Sequence, residues 1–115
     1  MSALILYGLK NCDTCKKALK ALAAAGRDVT FVDIRAEADL DAKLPAWLAA
    51  AGADALVNKR STTWRGLDDA VRAQADGDGA AGLLAAHPTL IKRPVIEADG
   101  ALYVGWTAAV SGVLT

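Results

Sequence analysis

A chain of 115 residues is long enough to bury one hydrophobic core, so we expect residues 1–115 to form a single domain. Thirteen Lys and Arg balance thirteen Asp and Glu, and this zero net charge argues against nucleic acid or an anionic membrane as a partner. No basic region precedes the N-terminal apolar run, and no apolar stretch approaches the roughly 20 residues of a spanning helix, so we expect a soluble, cytoplasmic protein.

The N-terminal part of the chain has the pattern of a βαβ unit. The apolar run ALILY (3–7) predicts a buried strand, and the β-branched and aromatic residues of DVTFVDI (28–34) predict a second one. Between them, from Asp13, apolar residues recur at helical spacing with lysines between them, and Gly26 is expected to end the helix as its C-cap. Both cysteines of the chain therefore fall where the first strand gives way to the helix.

The middle of the chain, residues 40–86, predicts a helical insertion. We expect Pro45 near the first turn of its first helix and Trp47 in the core, whereas Trp64 is expected either in the core or at the entrance to the thiols. The segments that carry the helical pattern are LDAKLPAWLAAAG (40–52), RGLDDAVRAQA (65–75) and AAGLLAAH (80–87), with a DGDG linker (76–79) between the last two.

The C-terminal part predicts a β-hairpin and a closing helix. In RPVIEADGALYVGW (93–106) two apolar runs flank Asp99 and Gly100, which indicates a type I′ turn, and Thr107 is a suitable N-cap for a helix that ends at Leu114. The whole order predicts an α/β protein with a thioredoxin-like (glutaredoxin-like) fold. A helical insertion would separate its N-terminal βαβ unit from its C-terminal ββα unit.

The chemistry of the chain is concentrated at Cys12 and Cys15. A thiol just ahead of a helix faces unpaired backbone N–H groups and the positive end of the helix dipole, so Cys12 is the expected nucleophile. Three residues correspond to about 300° of an α-helix, which places Cys15 on nearly the same face and within reach of a disulfide. Lys10, Lys16 and Lys17 would favour the thiolate further if they lie near the sulfur.

Two other interpretations of the cysteine pair are a structural zinc site and a pair of inert core residues. A structural zinc site needs four ligands, and His87 is the only histidine in the chain, so we expect no metal. Both cysteines could instead be inert core residues, since free cysteine is often buried. The position at a strand-to-helix turn favours redox or nucleophilic chemistry over both.

Three segments give the chain a resemblance to a known family. LYGLKNCDTCKKAL (6–19), LVNKRSTTWRGL (56–67) and HPTLIKRPVI (87–96) resemble the arsenate reductase (ArsC) and Spx family, most of all its YffB-like branch. The segments occur in the family's order, and the resemblance extends over nearly the whole chain. The resemblance implies a thioredoxin-like fold with a helical insertion.

The resemblance also implies roles for individual residues. Cys12 matches the catalytic thiol, Arg60 and Arg93 match arginines that bind an oxyanion, and Pro94 matches a proline that is cis opposite the thiol. A guanidinium suits this task because it offers a planar fork of donors and stays charged. We also expect Asn11 to take part in substrate binding.

Two departures from arsenate reductases shape the expected function. A third oxyanion-binding arginine is absent from YVGWTAAV (103–110), which has Gly105 and Trp106 there, and Cys15 offers a resolving thiol, as in Spx. The resemblance therefore implies a glutathione-linked thiol oxidoreductase, with glutathione as cosubstrate, a small thiol or oxyanion as partner, and no bound cofactor. A redox-responsive regulator that contacts RNA polymerase and a true arsenate reductase are the alternatives.

Overall fold

The computed structural model describes residues 3–75, 79–98 and 100–115, and these divide into two compact units. The first unit comprises the described residues up to Ala38 together with Arg93–Thr115, and the second comprises Asp39–Lys92. The second unit contains the predicted helical insertion. That residues 1–115 form a single domain stays a prediction.

The first unit is built on a four-stranded mixed sheet. Its strand order is β2-β1-β3-β4, in which β1 pairs parallel to β2 and antiparallel to β3, and β3 pairs antiparallel to β4. The strands are β1 (Leu4–Gly8), β2 (Val29–Asp33), β3 (Val95–Ala98) and β4 (Ala101–Val104). This topology confirms the βαβ and ββα units and the thioredoxin-like fold that the sequence predicts.

Helix α1 (Asp13–Ala24) covers one face of the sheet. Its buried residues follow the helical spacing seen in the sequence, and its lysines are exposed. Two buried residues of α1 pack with apolar residues of β1, β3 and the last helix in one core cluster. The cluster is formed by Leu4, Leu6, Ala18, Leu22, Ile96, Ala98 and Leu114. The helix ends one residue before the predicted position: its C-cap is Ala25, and Gly26 follows with a φ of +77° and an N–H that donates to the Ala23 carbonyl at 3.1 Å.

The chain of the first unit ends in helix α7 (Ala108–Leu114), whose two ends are both satisfied by side chains. The Thr107 hydroxyl accepts a hydrogen bond from the Val110 N–H at 3.2 Å, which confirms the predicted N-cap. At the other end, Arg27 Nη1 donates to the Leu114 carbonyl at 2.9 Å. These bonds fix α7 beside the sheet.

The second unit consists of short helices. They are α2 (Leu40–Ala51), α3 (Ala53–Leu56), α4 (Thr62–Arg65), α5 (Asp69–Arg72) and α6 (Ala80–Ala86), with 3₁₀ turns at Ala73–Ala75 and Pro88–Leu90. Trp47 is 1% exposed, which confirms its place in the core. Pro45 lies inside α2, not near its first turn. Pro45 lacks the N–H that would donate within the helix, so α2 continues past it with one hydrogen bond fewer and at a cost in stability.

Helices α3 and α4 are absent from the sequence prediction because four residues carry too little periodicity to reveal them. Local hydrogen bonds stabilise α4: the Ser61 hydroxyl accepts from the Trp64 N–H at 3.1 Å.

Gly100 has a φ of +78°, as a type I′ turn requires. The turn type itself involves Asp99, which, like residues 76–78 of the predicted linker, lies outside the described residues. None of the helices described is long and apolar enough to cross a membrane.

The packing of α1 on the sheet can be tested by truncating Leu22, which is fully buried in the core cluster. We expect Leu22→Ala to lower the free energy of unfolding by about 3 kcal/mol, because it removes buried methyl groups and leaves a cavity. Val113→Ala is the control, since Val113 is 62% exposed and its truncation should cost less than about 0.5 kcal/mol. Urea unfolding followed by tryptophan fluorescence measures both, and equal losses would contradict this packing.

Candidate active site

Cys12 is the N-cap of α1, where the sequence predicts the nucleophile. Its backbone is extended, with φ −91° and ψ 119°, and its N–H donates to the Leu9 carbonyl at 3.2 Å to close the turn after β1. Its own carbonyl accepts the first helical hydrogen bond, from the Lys16 N–H at 3.0 Å. The thiol is therefore held at the end of the helix where unpaired N–H groups favour an anion.

The surroundings of the Cys12 sulfur favour its thiolate. Partial burial raises the pKa of the Cys12 thiol, but the backbone N–H and the thiol of Cys15, together with the Arg93 guanidinium, outweigh that effect. The pKa of Cys12 is consequently lowered from its ordinary value. The cation that acts on the sulfur is thus Arg93, whereas the side chains of Lys10, Lys16 and Lys17 are exposed to solvent.

Cys15 has the opposite character, although it lies only one turn further along α1. Its side chain is fully buried, and burial raises the pKa of the Cys15 thiol to about 11, with the neighbouring Cys12 adding to the rise. The Leu9 backbone and Arg93 act in the other direction but do not compensate. At neutral pH Cys15 is therefore a protonated thiol beside an acidified one. Both cysteines are free.

Arg93 and Pro94 come to the site from the segment that leads into β3. The peptide bond between them is cis, as the resemblance implies. Pro94 is buried, and its carbonyl accepts a hydrogen bond from the Gly105 N–H at 2.8 Å. The antiparallel pairing of β1 with β3 places this segment next to the turn that carries Cys12. Two parts of the chain that are distant in sequence thus form one site.

Arg60 belongs to the second unit, so its predicted role beside Cys12 stays a prediction. It is exposed, and its backbone N–H donates to the Asn58 side-chain oxygen at 3.1 Å. The Ser61 hydroxyl donates to the Asn58 carbonyl at 2.9 Å, and Lys59 Nζ lies 5.7 Å from the centre of the half-buried Trp64 ring. Asn58 thus shapes the loop that presents Arg60.

Asn11 precedes Cys12 directly and is exposed, so it adjoins the thiol in the chain, and its predicted part in substrate binding also stays a prediction. Among the described residues no group of three or more His, Cys, Asp or Glu side chains could hold a metal ion. What this part of the chain offers chemically is a thiolate, a neighbouring thiol and a guanidinium.

Comparison with known proteins identifies the family of the chain. The model of the ArsC family matches residues 7–111. The chain belongs to the ArsC family. It is 48% identical over 102 residues to an uncharacterised protein of Haemophilus influenzae, covering 88% of this chain and 89% of the other.

Two solved structures extend the likeness to the fold. A protein described as YffB is 35% identical, with a TM-score of 0.83 and coverage of 96% of this chain and 97% of that one. An ArsC-related protein from Brucella melitensis is 40% identical, with a TM-score of 0.77 and coverage of 96% and 92%. The likeness to the YffB protein confirms the branch that the sequence motifs suggest.

Gly105 and Trp106, at the positions where the third arginine is absent, are buried and half-buried respectively. Gly105 has a φ of +82°, a backbone conformation that residues with a Cβ rarely adopt, and it is buried against Pro94. Trp106 is half-buried and packs against the core cluster. Neither position therefore supplies a cation to the site.

Gly8 and Leu9 were not predicted as site residues, although both lie against the Cys15 sulfur. A Cβ built on Gly8 would come within 2.5 Å of the Cys15 sulfur, and the Leu9 backbone interacts with that same sulfur. A glycine at the end of an apolar strand is the signal that could have revealed this, because such a glycine often marks a close approach of another group.

The influence of Arg93 on Cys12 can be tested by alkylation. We expect Arg93→Ala to raise the pKa of Cys12, because the substitution removes a cation and a donor that favour the thiolate. The rate of iodoacetamide reaction at pH 6.5 should then fall by about threefold or more, and its pH profile should move to higher pH. Rates measured by intact mass across pH 5–10 check this.

Lys16→Ala is the matched control for that experiment, since it removes an exposed cation from α1, the helix that Cys12 caps. Its profile should coincide with that of the unmodified protein. If Lys16→Ala moves the profile as far as Arg93→Ala does, the charge that controls Cys12 has been assigned to the wrong residue.

Proposed function

We propose that this protein is a glutathione-linked thiol oxidoreductase in which Cys12 is the nucleophile. The observation that carries the proposal is the contrast between the two thiols, with the pKa of Cys12 lowered beside Arg93 and that of Cys15 raised by burial. Thiolates, and not thiols, attack disulfides, so only one of the two sulfurs is prepared to react at neutral pH. Membership of the ArsC family supports thiol-dependent reduction as the general chemistry.

The proposed reaction proceeds by two thiol–disulfide exchanges. The Cys12 thiolate attacks the glutathione sulfur of a mixed disulfide between glutathione and a second thiol, a bond forms between Cys12 and glutathione, and the second thiol leaves as a thiolate that takes up a proton. A second glutathione then attacks the adduct as a thiolate, releasing oxidised glutathione and restoring the Cys12 thiolate. One mixed disulfide and one glutathione become one thiol and one oxidised glutathione.

Glutathione, not Cys15, is the proposed resolving thiol. A thiol whose pKa is about 11 is almost entirely protonated at pH 7, and burial also restricts its approach to a disulfide. A free glutathione reaches the adduct from solvent and has a larger thiolate fraction. Cys15 therefore acts on the reaction through its position next to Cys12.

Arg93, Arg60 and Asn11 are the proposed substrate-binding residues. Glutathione carries two carboxylates, and a guanidinium binds a carboxylate by two parallel hydrogen bonds. Arg93 is already at the Cys12 sulfur, so a bound anion would be aligned with the nucleophile. Arg60 and Asn11 are both exposed and hence available to a ligand.

Arsenate and RNA polymerase are the competing partners. Arsenate is disfavoured because Gly105 and Trp106 stand where arsenate reductases have a third arginine, so one of the cations that would bind the oxyanion is missing. A redox-responsive regulator would need an intramolecular disulfide that forms readily, which the protonated state of Cys15 opposes. The free thiols fit the reducing cytoplasm, which we propose as its compartment.

Replacing each cysteine by serine tests the proposed function. We expect Cys12→Ser to lower the glutathione-dependent reduction of a small mixed disulfide by about 1,000-fold or more, since a serine hydroxyl is not ionised at neutral pH. Cys15→Ser should keep the rate within about threefold, because glutathione resolves the adduct. The measurement is the formation of oxidised glutathione at fixed pH, with thermal unfolding curves to show that both variants fold.

The outcomes separate the candidate functions. Turnover that survives Cys12→Ser would refute the proposal. Turnover that is lost in both variants would make Cys15 the resolving thiol, and activity with arsenate but not with the mixed disulfide would make the protein an arsenate reductase. Oxidation-dependent binding to RNA polymerase without turnover would identify a regulator.

A further inference from the structure

The Cys15 sulfur lies in a short row of polar contacts that runs through the site. The Leu9 backbone interacts with the Cys15 sulfur, and the Cys15 thiol interacts with the Cys12 sulfur. Arg93, in the segment before β3, also interacts with Cys12. Because the Cys15 thiol is protonated and Cys12 is the more acidic group, Cys15 is the donor of this pair. A hydrogen bond to an anion stabilises it, so the position of the Cys15 thiol bears directly on the reactivity of Cys12.

Gly8 makes room for that thiol. An ideal Cβ at Gly8 would lie 2.5 Å from the Cys15 sulfur and 3.3 Å from the Cys15 Cβ, and the shorter distance is below any real contact of a Cβ atom. Gly8 is the last residue of β1 and accepts a hydrogen bond from the Ile34 N–H at 2.9 Å, so the strand cannot move aside freely. A methyl group at position 8 would have to displace the Cys15 thiol.

Backbone conformation does not explain the glycine. Gly26, Gly52, Gly100 and Gly105 have φ between +77° and +85°, where glycine is favoured, but Gly8 has no such φ and pairs with Asp33 in regular strand register. An alanine would therefore fit the backbone at position 8. What it meets is a side chain, that of Cys15.

We propose that Gly8 is a positioning residue for the reaction: the absence of a side chain lets the Cys15 thiol lie against the end of β1 and donate a hydrogen bond to the Cys12 sulfur. This inference rests on the proposed function, in which Cys12 is the nucleophile. It assigns to Cys15 the task of a hydrogen-bond donor and to Gly8 the task of placing that donor. Residue 8 thereby controls the thiolate four positions further along the chain.

The charged and titratable groups around Cys12 are few enough for a clear pH experiment. Cys15 on α1 and Arg93 before β3 act on its sulfur, whereas Asp13, Lys10 and Lys16 nearby in the chain are exposed. A change confined to Gly8 leaves Arg93 in place. A shift of the pH profile in such a variant therefore reports the loss of the Cys15 hydrogen bond.

The experiment is a double-mutant cycle on Gly8 and Cys15, read by the pH profile of Cys12 alkylation. We expect Gly8→Ala to lower the alkylation rate at pH 6.5 by about threefold to tenfold and Cys15→Ala to lower it by a similar factor, because each removes the same donor from Cys12. The double variant should match Cys15→Ala alone, since the methyl group at position 8 then has no sulfur to displace. Cys15→Ser should retain more of the rate than Cys15→Ala, because a hydroxyl also donates.

Gly112→Ala is the matched control, since a Cβ there meets no atom within 4 Å and Gly112 lies on α7, which carries neither cysteine. Its profile should equal that of the unmodified protein. An unchanged profile in Gly8→Ala, or a double variant much less reactive than Cys15→Ala, would overturn the inference. If Gly8→Ala does not fold, the double variant still decides it, because removing the sulfur should restore folding if the sulfur is the obstacle.

The same measurements keep this inference separate from the proposed function. If Cys12 of the unmodified protein does not react as a low-pKa thiol, or turnover survives its replacement, the proposed function fails. If Cys12 is reactive and glutathione turnover is present but Gly8→Ala behaves as Gly112→Ala does, the function stands and the role of Gly8 fails. Mass mapping of the alkylated peptide assigns each rate to Cys12 and not to Cys15.

Discussion

The stabilisation of one sulfur anion is the constraint on which the site depends. Cys12 lies at the N-terminus of α1, and the donors that reach it come from Cys15 on the same helix and from Arg93 in a distant segment. Burial alone would make this thiol less acidic, so its reactivity requires these donors to stay in place. The turn after β1, the start of α1 and the approach to β3 must therefore keep fixed relative positions.

The sheet supplies that fixed arrangement. The central strand β1 pairs with β2 on one side and with β3 on the other, and the apolar residues of α1 and α7 pack against the same face. Because β1 and β3 run antiparallel, the C-terminal end of β1, which leads to Cys12, lies beside the N-terminal end of β3, which follows Arg93. The core thus holds together two groups that are 81 positions apart in the sequence.

The two cysteines show how position separates chemically identical groups. One turn of helix moves the sulfur from a half-exposed N-cap to a fully buried place over the Gly8–Leu9 backbone, and the two pKa values move in opposite directions. A C-x-x-C pair in the sequence suggests a disulfide, whereas these surroundings favour one nucleophile and one donor. Backbone position matters at Gly105 as well: this residue has a positive φ, and its N–H donates to the Pro94 carbonyl.

The sequence by itself determined the elements whose signals are local. The strand and helix periods around Cys12, the end of α1 near Gly26 and the Thr107 cap depend on neighbouring residues, so they could be predicted. Helices α3 and α4 were not predicted, because four residues carry too weak a local signal, and Pro45 lies further into α2 than expected. Only the tertiary structure decided that Arg93 acts on Cys12 and that Gly8 leaves space for Cys15, since contacts through space depend on how the sheet pairs and how the helix packs on it.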